Sequence, residues 1–213
     1  MGDLRITALE LGDLQTNCYL LTNVRTSETL IADPADSFHI IMEKCSAMGF
    51  KPVAALLTHG HFDHIMAAAD VKGAFQIPIY AGIAEKALLQ DARLNGSLMT
   101  GVEITLTADT WVSDGETLSL AGLQMKVICT PGHTAGSVCY YFEDENVLIS
   151  GDTLFRGSFG RTDFPTGSFP ALAQSITGKL FSLPDATQVY PGHGARTTIA
   201  NEKKNNMIVR AVL

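Results

Sequence analysis

His59-Gly60-His61-Phe62-Asp63-His64 places four metal-ligating side chains within six residues, directly behind the apolar run Val53-Ala54-Ala55-Leu56-Leu57. The apolar run has the continuous character of a strand buried on both faces, so the ligands hang from the end of a core strand. In an extended segment, side chains two apart share a face, and His59 and His61 can therefore reach one ion. Asp63 and His64 follow where the chain turns into a helix and can face a second ion beside the first.

The chain holds six histidines, and five stand in metal-type contexts. Beyond the cluster these are His133, in Thr130-Pro131-Gly132-His133-Thr134, and His193, in Pro191-Gly192-His193-Gly194. His39, inside the helix-like stretch Ser37 to Met48, stands apart. Asp152 follows a strand-like run, Val147 to Ser150, and is the candidate carboxylate between two ions. Glycine neighbours each of these later positions (Gly132, Gly151, Gly192 and Gly194), which allows tight turns close to an ion. His133 or His193 alone would read as an ordinary core or surface histidine; joined to the cluster, each reads as a ligand.

Hydrolysis by two metals needs ions about 3.5–4 Å apart, open coordination positions and a water made acidic by both charges. His59, His61 and His133 can complete one ion's protein ligands, and Asp63, His64 and His193 the other's, with Asp152 bridging. Structural zinc sites are closed sets of four ligands, rich in cysteine. Seven His and Asp donors exceed one such site, so the pattern points to catalysis. Imidazole and carboxylate suit zinc, two per chain, and also iron or manganese. Cys18, Cys45, Cys129 and Cys139 form no Cys-x-x-Cys pair and read as buried, reduced thiols.

Strands are predicted over Leu4–Leu11, Cys18–Val24, Thr29–Ala32, Val53–Leu57 and Ile77–Tyr80. Helices are predicted over Ser37–Met48, with Ser37 as N-cap and Gly49 as C-cap, over Ile65–Lys72 and over Ile83–Gln90. After an irregular stretch, Asp91 to Gly101, come strands Glu116–Leu120, Leu123–Cys129, Ser137–Phe142 and Val147–Ser150. A long loop, Gly151 to Gly167, leads to a helix over Phe169–Leu183, a strand over Gln188–Tyr190 and a closing helix. The halves, about 1–100 and 101–213, share this element order. The expectation is an α/β chain of one domain, 1–213, with two sheets face to face and helices outside.

A formal charge of −7 and the lack of any basic run beyond Lys203-Lys204 argue against nucleic acid. No apolar stretch approaches the roughly 18 residues that span a membrane. The start, Met1-Gly2-Asp3-Leu4-Arg5, does not look like a secretory leader, so a cytoplasmic protein is expected. Oligomeric state is not readable. Two divalent ions would outweigh two carboxylates and one hydroxide by about one positive charge, which suits a small anionic thioester or ester.

With these elements together, the chain resembles the metallo-beta-lactamase superfamily, in the order Asp33, the His59 to His64 cluster, His133, Asp152, His193. The resemblance implies a four-layer αβ/βα sandwich of two mixed sheets, with the dinuclear site at one edge. It makes Asp33, in Ile31-Ala32-Asp33-Pro34-Ala35, a support for the ligands rather than a ligand; a plain Asp-Pro turn is the other reading. Asp152-Thr153-Leu154-Phe155-Arg156-Gly157-Ser158-Phe159-Gly160-Arg161-Thr162-Asp163-Phe164 and Tyr190-Pro191-Gly192-His193-Gly194 look like the short glyoxalase II group, the hydroxyacylglutathione hydrolases. True beta-lactamases have cysteine at a position comparable to Asp152 and often arginine at that of His64, which argues against antibiotic hydrolysis. Twenty residues follow His193, fewer than the glutathione-holding helices of full-length glyoxalase II need, so glutathione recognition is not carried over.

The persulfide dioxygenases, with one iron on two His and one Asp, share Gly160-Arg161-Thr162-Asp163-Phe164. Their last motif reads Pro-Ala-His-Asp where this chain has Pro191-Gly192-His193-Gly194, which favours the hydrolase. A lactonase or another small-ester metallohydrolase is a further alternative. Asp63 is the expected catalytic residue, ligating one ion and orienting the attacking hydroxide. Arg161 and Arg93 are candidate substrate contacts, although for Arg161 the favoured reading is a brace that holds its loop by pairing with Asp163 or another acid. No Gly-x-Ser-x-Gly elbow competes as a nucleophile.

Overall fold

Inside the apolar runs of this chain, alternate residues serve different cores. In the computed structural model, which describes residues 2–211, Leu20, Ile31, Ala55 and Leu57 join one buried cluster. Their neighbours Tyr19, Leu21, Leu30, Ala32, Ala54 and Leu56 join another. A strand whose two faces are both covered cannot show a polar alternation, which explains the continuous apolar runs.

The first sheet has the order β1 (Leu4–Leu11), β2 (Thr16–Asn23), β3 (Glu28–Ala32), β4 (Lys51–Leu56), β5 (Ile79–Gly82) and β6 (Thr110–Val112). β1 to β3 pair antiparallel and β3 to β6 parallel, so the sheet is mixed. The second half supplies β7 (Thr117–Leu120), β8 (Leu123–Cys129), β9 (Val138–Phe142), β10 (Val147–Gly151), a small hairpin of β11 (Leu154–Phe155) and β12 (Ser158–Phe159), then β13 (Gln188–Pro191) and β14 (Thr197–Thr198). The second sheet runs β14-β13-β10-β9-β8-β7 and is also mixed, because β10 and β13 are parallel. Residues 4–112 thus build one sheet and 117–198 the other.

The inner faces meet in the shared core, where Tyr19, Leu30 and Leu56 pack with Val127, Tyr140 and Ile149. Helices α1 (Phe38–Met48), α2 (Phe62–Ile65), α3 (Ala68–Phe75) and α4 (Lys86–Leu89) belong to the first half. α1 and α3 cover its outer face through Ile41, Cys45, Ala68 and Val71. Ile41 and Cys45, four apart, lie on one stripe of α1, as an amphipathic helix requires. Helices α5 (Phe169–Gln174), α6 (Ile199–Asn205) and α7 (Met207–Ala211) cover the second sheet through Leu172, Ile199 and Ile208. The result is the four-layer α/β sandwich of two mixed sheets that the sequence led us to expect. Among the described residues no helix is long and apolar enough to cross a membrane.

Several local expectations change. Gly49 ends α1 at φ 66°, but Ser37 does not cap it with its side chain. Ser37 sits at φ 50°, its N–H bonds to Asp36 Oδ1, and its carbonyl takes Ile40 N–H at 2.8 Å. The helix expected over Ile65–Lys72 is two pieces, α2 and α3, separated at Met66-Ala67. The long helix over Phe169–Leu183 begins as α5, with Ser168 Oγ accepting from Ala171 N at 3.4 Å, then widens to a π-turn at Ser175–Lys179 and tightens to a 3-10 turn at Leu180–Ser182. β6 lies in a stretch for which no element was expected.

Candidate metal centre

The end of β4 is held from both sheets. Leu57 N–H donates to Tyr80 O at 2.9 Å on one side, and Tyr140 Oη donates to Leu57 O at 2.9 Å from the other. Val138 N–H donates to Thr58 O at 2.8 Å, so the first and second sheets are stitched together where the histidine cluster begins. The chain stays extended to His61 (φ −62°, ψ 146°), and α2 then carries Asp63 and His64. This brings the His59 and His61 rings within 4.9 Å of each other and sets His64 against His59 at 4.1 Å.

The other ligand positions arrive from the second half at the same edge. His133 follows β8, Asp152 follows β10 and His193 follows β13. Three groups of donors result: His59, His61 and His133; Asp63, His64 and His193; and His59, His64 and Asp152, the donor atoms of each lying within 4.8 Å of one another. Asp152 lies between the first two groups. Its Oδ2 is 3.6 Å from both His133 Nε2 and His193 Nε2, and its Oδ1 is 3.4 Å from His64 Nε2. All seven positions singled out in the sequence therefore converge, while His39 is exposed on α1.

The far nitrogen of each outer imidazole has its own partner. His64 Nδ1–H donates to Asp33 Oδ2 at 2.9 Å, His133 Nδ1–H to Arg161 O at 2.7 Å and His193 Nδ1–H to Leu14 O at 3.1 Å. Each such bond orients the ring so that Nε2 points inward, the usual support of a metal-ligating histidine. Asp33 also accepts from Thr58 N at 2.7 Å and Thr58 Oγ1 at 2.7 Å and is buried, so it is more than an Asp-Pro turn.

The donor chemistry fits divalent ions. His59 Nε2, His61 Nε2, His64 Nε2 and Asp152 Oδ1 are buried and lack a hydrogen-bond partner. Orphaned polar atoms of this kind cost a fold roughly 1–3 kcal/mol each unless something satisfies them. Two ligands at zinc–nitrogen distance in a tetrahedral shell stand about 3.3 Å apart. The separations here, 3.2 Å from His193 Nε2 to Asp63 Oδ2 and 3.4–3.6 Å around Asp152, have that spacing. His61 Nδ1 and His133 Nε2, at 2.8 Å, are closer still.

Electrostatics follow from burial and crowding. Burial first, and then its histidine neighbours, hold His59 well below the ordinary histidine value and push His61 down to about 3. Burial alone would lower His64 too, but Asp63, Asp152 and Asp33 together raise it well above that value. Burial would raise Asp63 and Asp152, yet His64 and the other facing imidazoles hold both below the usual carboxylate range.

Glycine is needed where the loops close on the site. A Cβ on Gly192 would run into Asp152 Oδ1 and the His64 ring, and Gly151 takes φ 48° beside Thr58. Around His193 the chain is clamped by residues that gave no sequence signal. Asn17 Nδ2 donates to Pro191 O at 3.0 Å and to Gly194 O at 2.9 Å, and Tyr19 Oη donates to Pro191 O at 2.7 Å. Thr16 Oγ1 donates to Asp63 Oδ2 at 3.0 Å.

A cavity of about 410 Å³ opens onto the donors, walled by Leu14, Phe62, Leu94, Met99, Phe164 and Pro165. The 91–101 stretch forms one wall of it, pinned by Phe62 N–H on Asn95 O at 2.9 Å. Arg93 and Arg161 both line this cavity. Arg161 is engaged already, bidentate to Asp163 at 2.7 Å and 2.7 Å and stacked 3.7 Å over Phe164. Arg93 is exposed, and its guanidinium has no ion pair among the described residues.

Residues 11–193 match the family model described as the metallo-beta-lactamase superfamily. The "Probable metallo-hydrolase YqgX" of Bacillus subtilis is 40% identical over 93% of this chain and 94% of its own. The "Hydroxyacylglutathione hydrolase GloC" of Haemophilus influenzae is 31% identical over 95% of this chain and 97% of its own. Among solved structures, the "BLEG-1 B3 metallo-beta-lactamase" superposes with TM-score 0.91 at 40% identity, covering 95% of this chain and 98% of that one. "TTHA1623 in a di-iron-bound form" does so with TM-score 0.84 at 34% identity, covering 94% and 98%.

Proposed function

The chain belongs to the metallo-beta-lactamase superfamily, and from that premise we propose that it is a dinuclear metal-dependent hydrolase of the glyoxalase II type, cleaving a small anionic thioester or ester. The observation that carries this reading is the division of seven donors into a three-histidine group and an Asp63–His64–His193 group, with Asp152 between them. Zinc is the first expectation for the pair of ions, and the di-iron form of a 34% identical relative keeps iron in view. When bound, the ions would supply Lewis acidity toward a carbonyl and lower the pKa of a water nucleophile.

The protein's own groups would do the rest. Asp63 stands at the cavity floor with Oδ2 shared among Thr16, His193 and His64, and it would orient the water. Asp33, Leu14 O and Arg161 O would keep the imidazole lone pairs turned inward. The apolar wall would exclude bulk water from the acyl group. Arg93 at the rim would meet an anionic arm of the substrate. A thiolate leaves without a strong general acid, because a thiol pKa lies near ~8.5.

A second reading has an observation of its own. His59, His64 and Asp152 form a set of two His and one Asp, the ligand type of a single-iron persulfide dioxygenase. The remaining four donors would then have no task, which favours two ions. A substrate panel decides among the finer readings: hydroxyacyl thioesters, a lactone and other small esters, a glutathione persulfide, and a β-lactam, the last because a 40% identical structure is named a metallo-beta-lactamase. Turnover of the thioester alone supports the proposal; turnover of the persulfide with oxygen uptake would replace it.

A further inference from the structure

Glu85 is a buried carboxylate that belongs to none of the donor groups. It ends a 3-10 turn, Ile83–Glu85, just beyond β5, and is 1% exposed. Its Oε1 accepts Gly60 N–H at 2.8 Å, and its Oε2 accepts Thr134 Oγ1–H at 3.0 Å. Gly60 lies between His59 and His61, and Thr134 follows His133. One carboxylate therefore ties together the two loops, far apart in sequence, that carry the three-histidine group.

The seat is tight on both sides. A Cβ on Gly60 would stand 2.8–2.9 Å from Leu88 and Leu89, and one on Gly136 would run into the Glu85 backbone and carboxylate. Burying a carboxylate is costly, and an apolar residue of similar volume is often no worse for stability. A carboxyl group kept at this place is explained by what it orders. The Asp63–His64–His193 group is supported elsewhere, by Thr16, Asp33 and Leu14 O.

We propose that Glu85 is a positioning residue for the three-histidine group, fixing the separation of the His59–His61 and His133 loops and hence the affinity of one of two ions. The inference rests on the dinuclear reading. Three variants of the full chain, Glu85→Gln, Thr134→Val and His133→Ala, are stripped of metal and titrated with zinc against a chromophoric chelator that resolves two classes of site. His133→Ala identifies the class that belongs to the three histidines.

Glu85→Gln should weaken that class by about 10–100-fold, the usual effect of removing an outer partner of a metal ligand, and leave the other class unchanged. Thr134→Val should weaken the same class, by less. Equal weakening of both classes, or none in either, would overturn the inference. If Glu85→Gln does not fold, Thr134→Val carries the same selective readout. An unaltered chain that shows one class of site instead of two would reject the dinuclear reading itself, a result distinct from two classes insensitive to Glu85.

Discussion

Asp33 Oδ2 accepts from His64 Nδ1 at 2.9 Å and from Thr58 Oγ1 at 2.7 Å, and Thr58 Oγ1 in turn faces His59 Nδ1 at 3.2 Å. One buried carboxylate thus orients an imidazole in each of the two donor groups, directly for His64 and through a hydroxyl for His59. Asp33→Asn keeps the shape but turns an amide against the Thr58 donors. Zinc titration should find both ions bound about 10–100-fold more weakly. Weakening of one ion alone would mean that the Thr58 relay does not matter.

Asp152 has Oδ1 at 3.4 Å from His64 Nε2 and Oδ2 at 3.6 Å from His133 Nε2, so it faces both groups. Asp152→Ala should lower the occupancy of both ions, read as metal per chain after dialysis. Full retention of one ion would show that the carboxylate does not bridge. His39→Ala, on the exposed side of α1, is the control and should change neither metal content nor turnover.

Metal uptake should release protons at neutral pH. Burial lowers His64, but Asp63, Asp152 and Asp33 outweigh it and raise the imidazole well above its ordinary value. The stability this gives the metal-free protein is fully present below the ordinary histidine pKa of about 6.5 and is lost as pH rises through the raised value. An ion needs the neutral ring, so binding at pH 7 must expel that proton. Calorimetric titration in buffers of different ionisation enthalpy should show at least about one proton released per chain. Binding enthalpy independent of buffer would contradict the assignment of His64 as a ligand.

Asp63 and Arg93 should separate in kinetics. Asp63 touches Thr16, His193 and His64 at the cavity floor, whereas Arg93 stands at its rim. With metal saturating, Asp63→Asn should lower kcat by on the order of 100-fold or more and move KM little. Arg93→Ala should raise KM about five- to tenfold for a substrate bearing a carboxylate and leave kcat nearly unchanged. The reverse pattern would exchange their roles.

Much of this site was legible in the sequence because its signal is local. His59 to His64 set four donors side by side, and His133, Asp152 and His193 each stand next to a glycine. Asp33 aside, the supports were not legible. Glu85 looks like any acid of the helix expected over Ile83–Gln90 until β5 carries it under Gly60 and Thr134, and Asn17 gains meaning only when β2 meets the turn after β13. The fold divides in the same way. Buried strands announce themselves by apolar runs, but β6 is three residues long, and the π-turn at Ser175–Lys179 arises within a sequence that reads as one unbroken helix.

Metal content measured together with turnover on the freshly purified chain tests the central claim most directly. Two divalent ions per chain, with thioester cleavage abolished by a chelator and restored by zinc, is the result expected from two donor groups joined by Asp152. One iron per chain, with oxygen consumed on a persulfide, would contradict it.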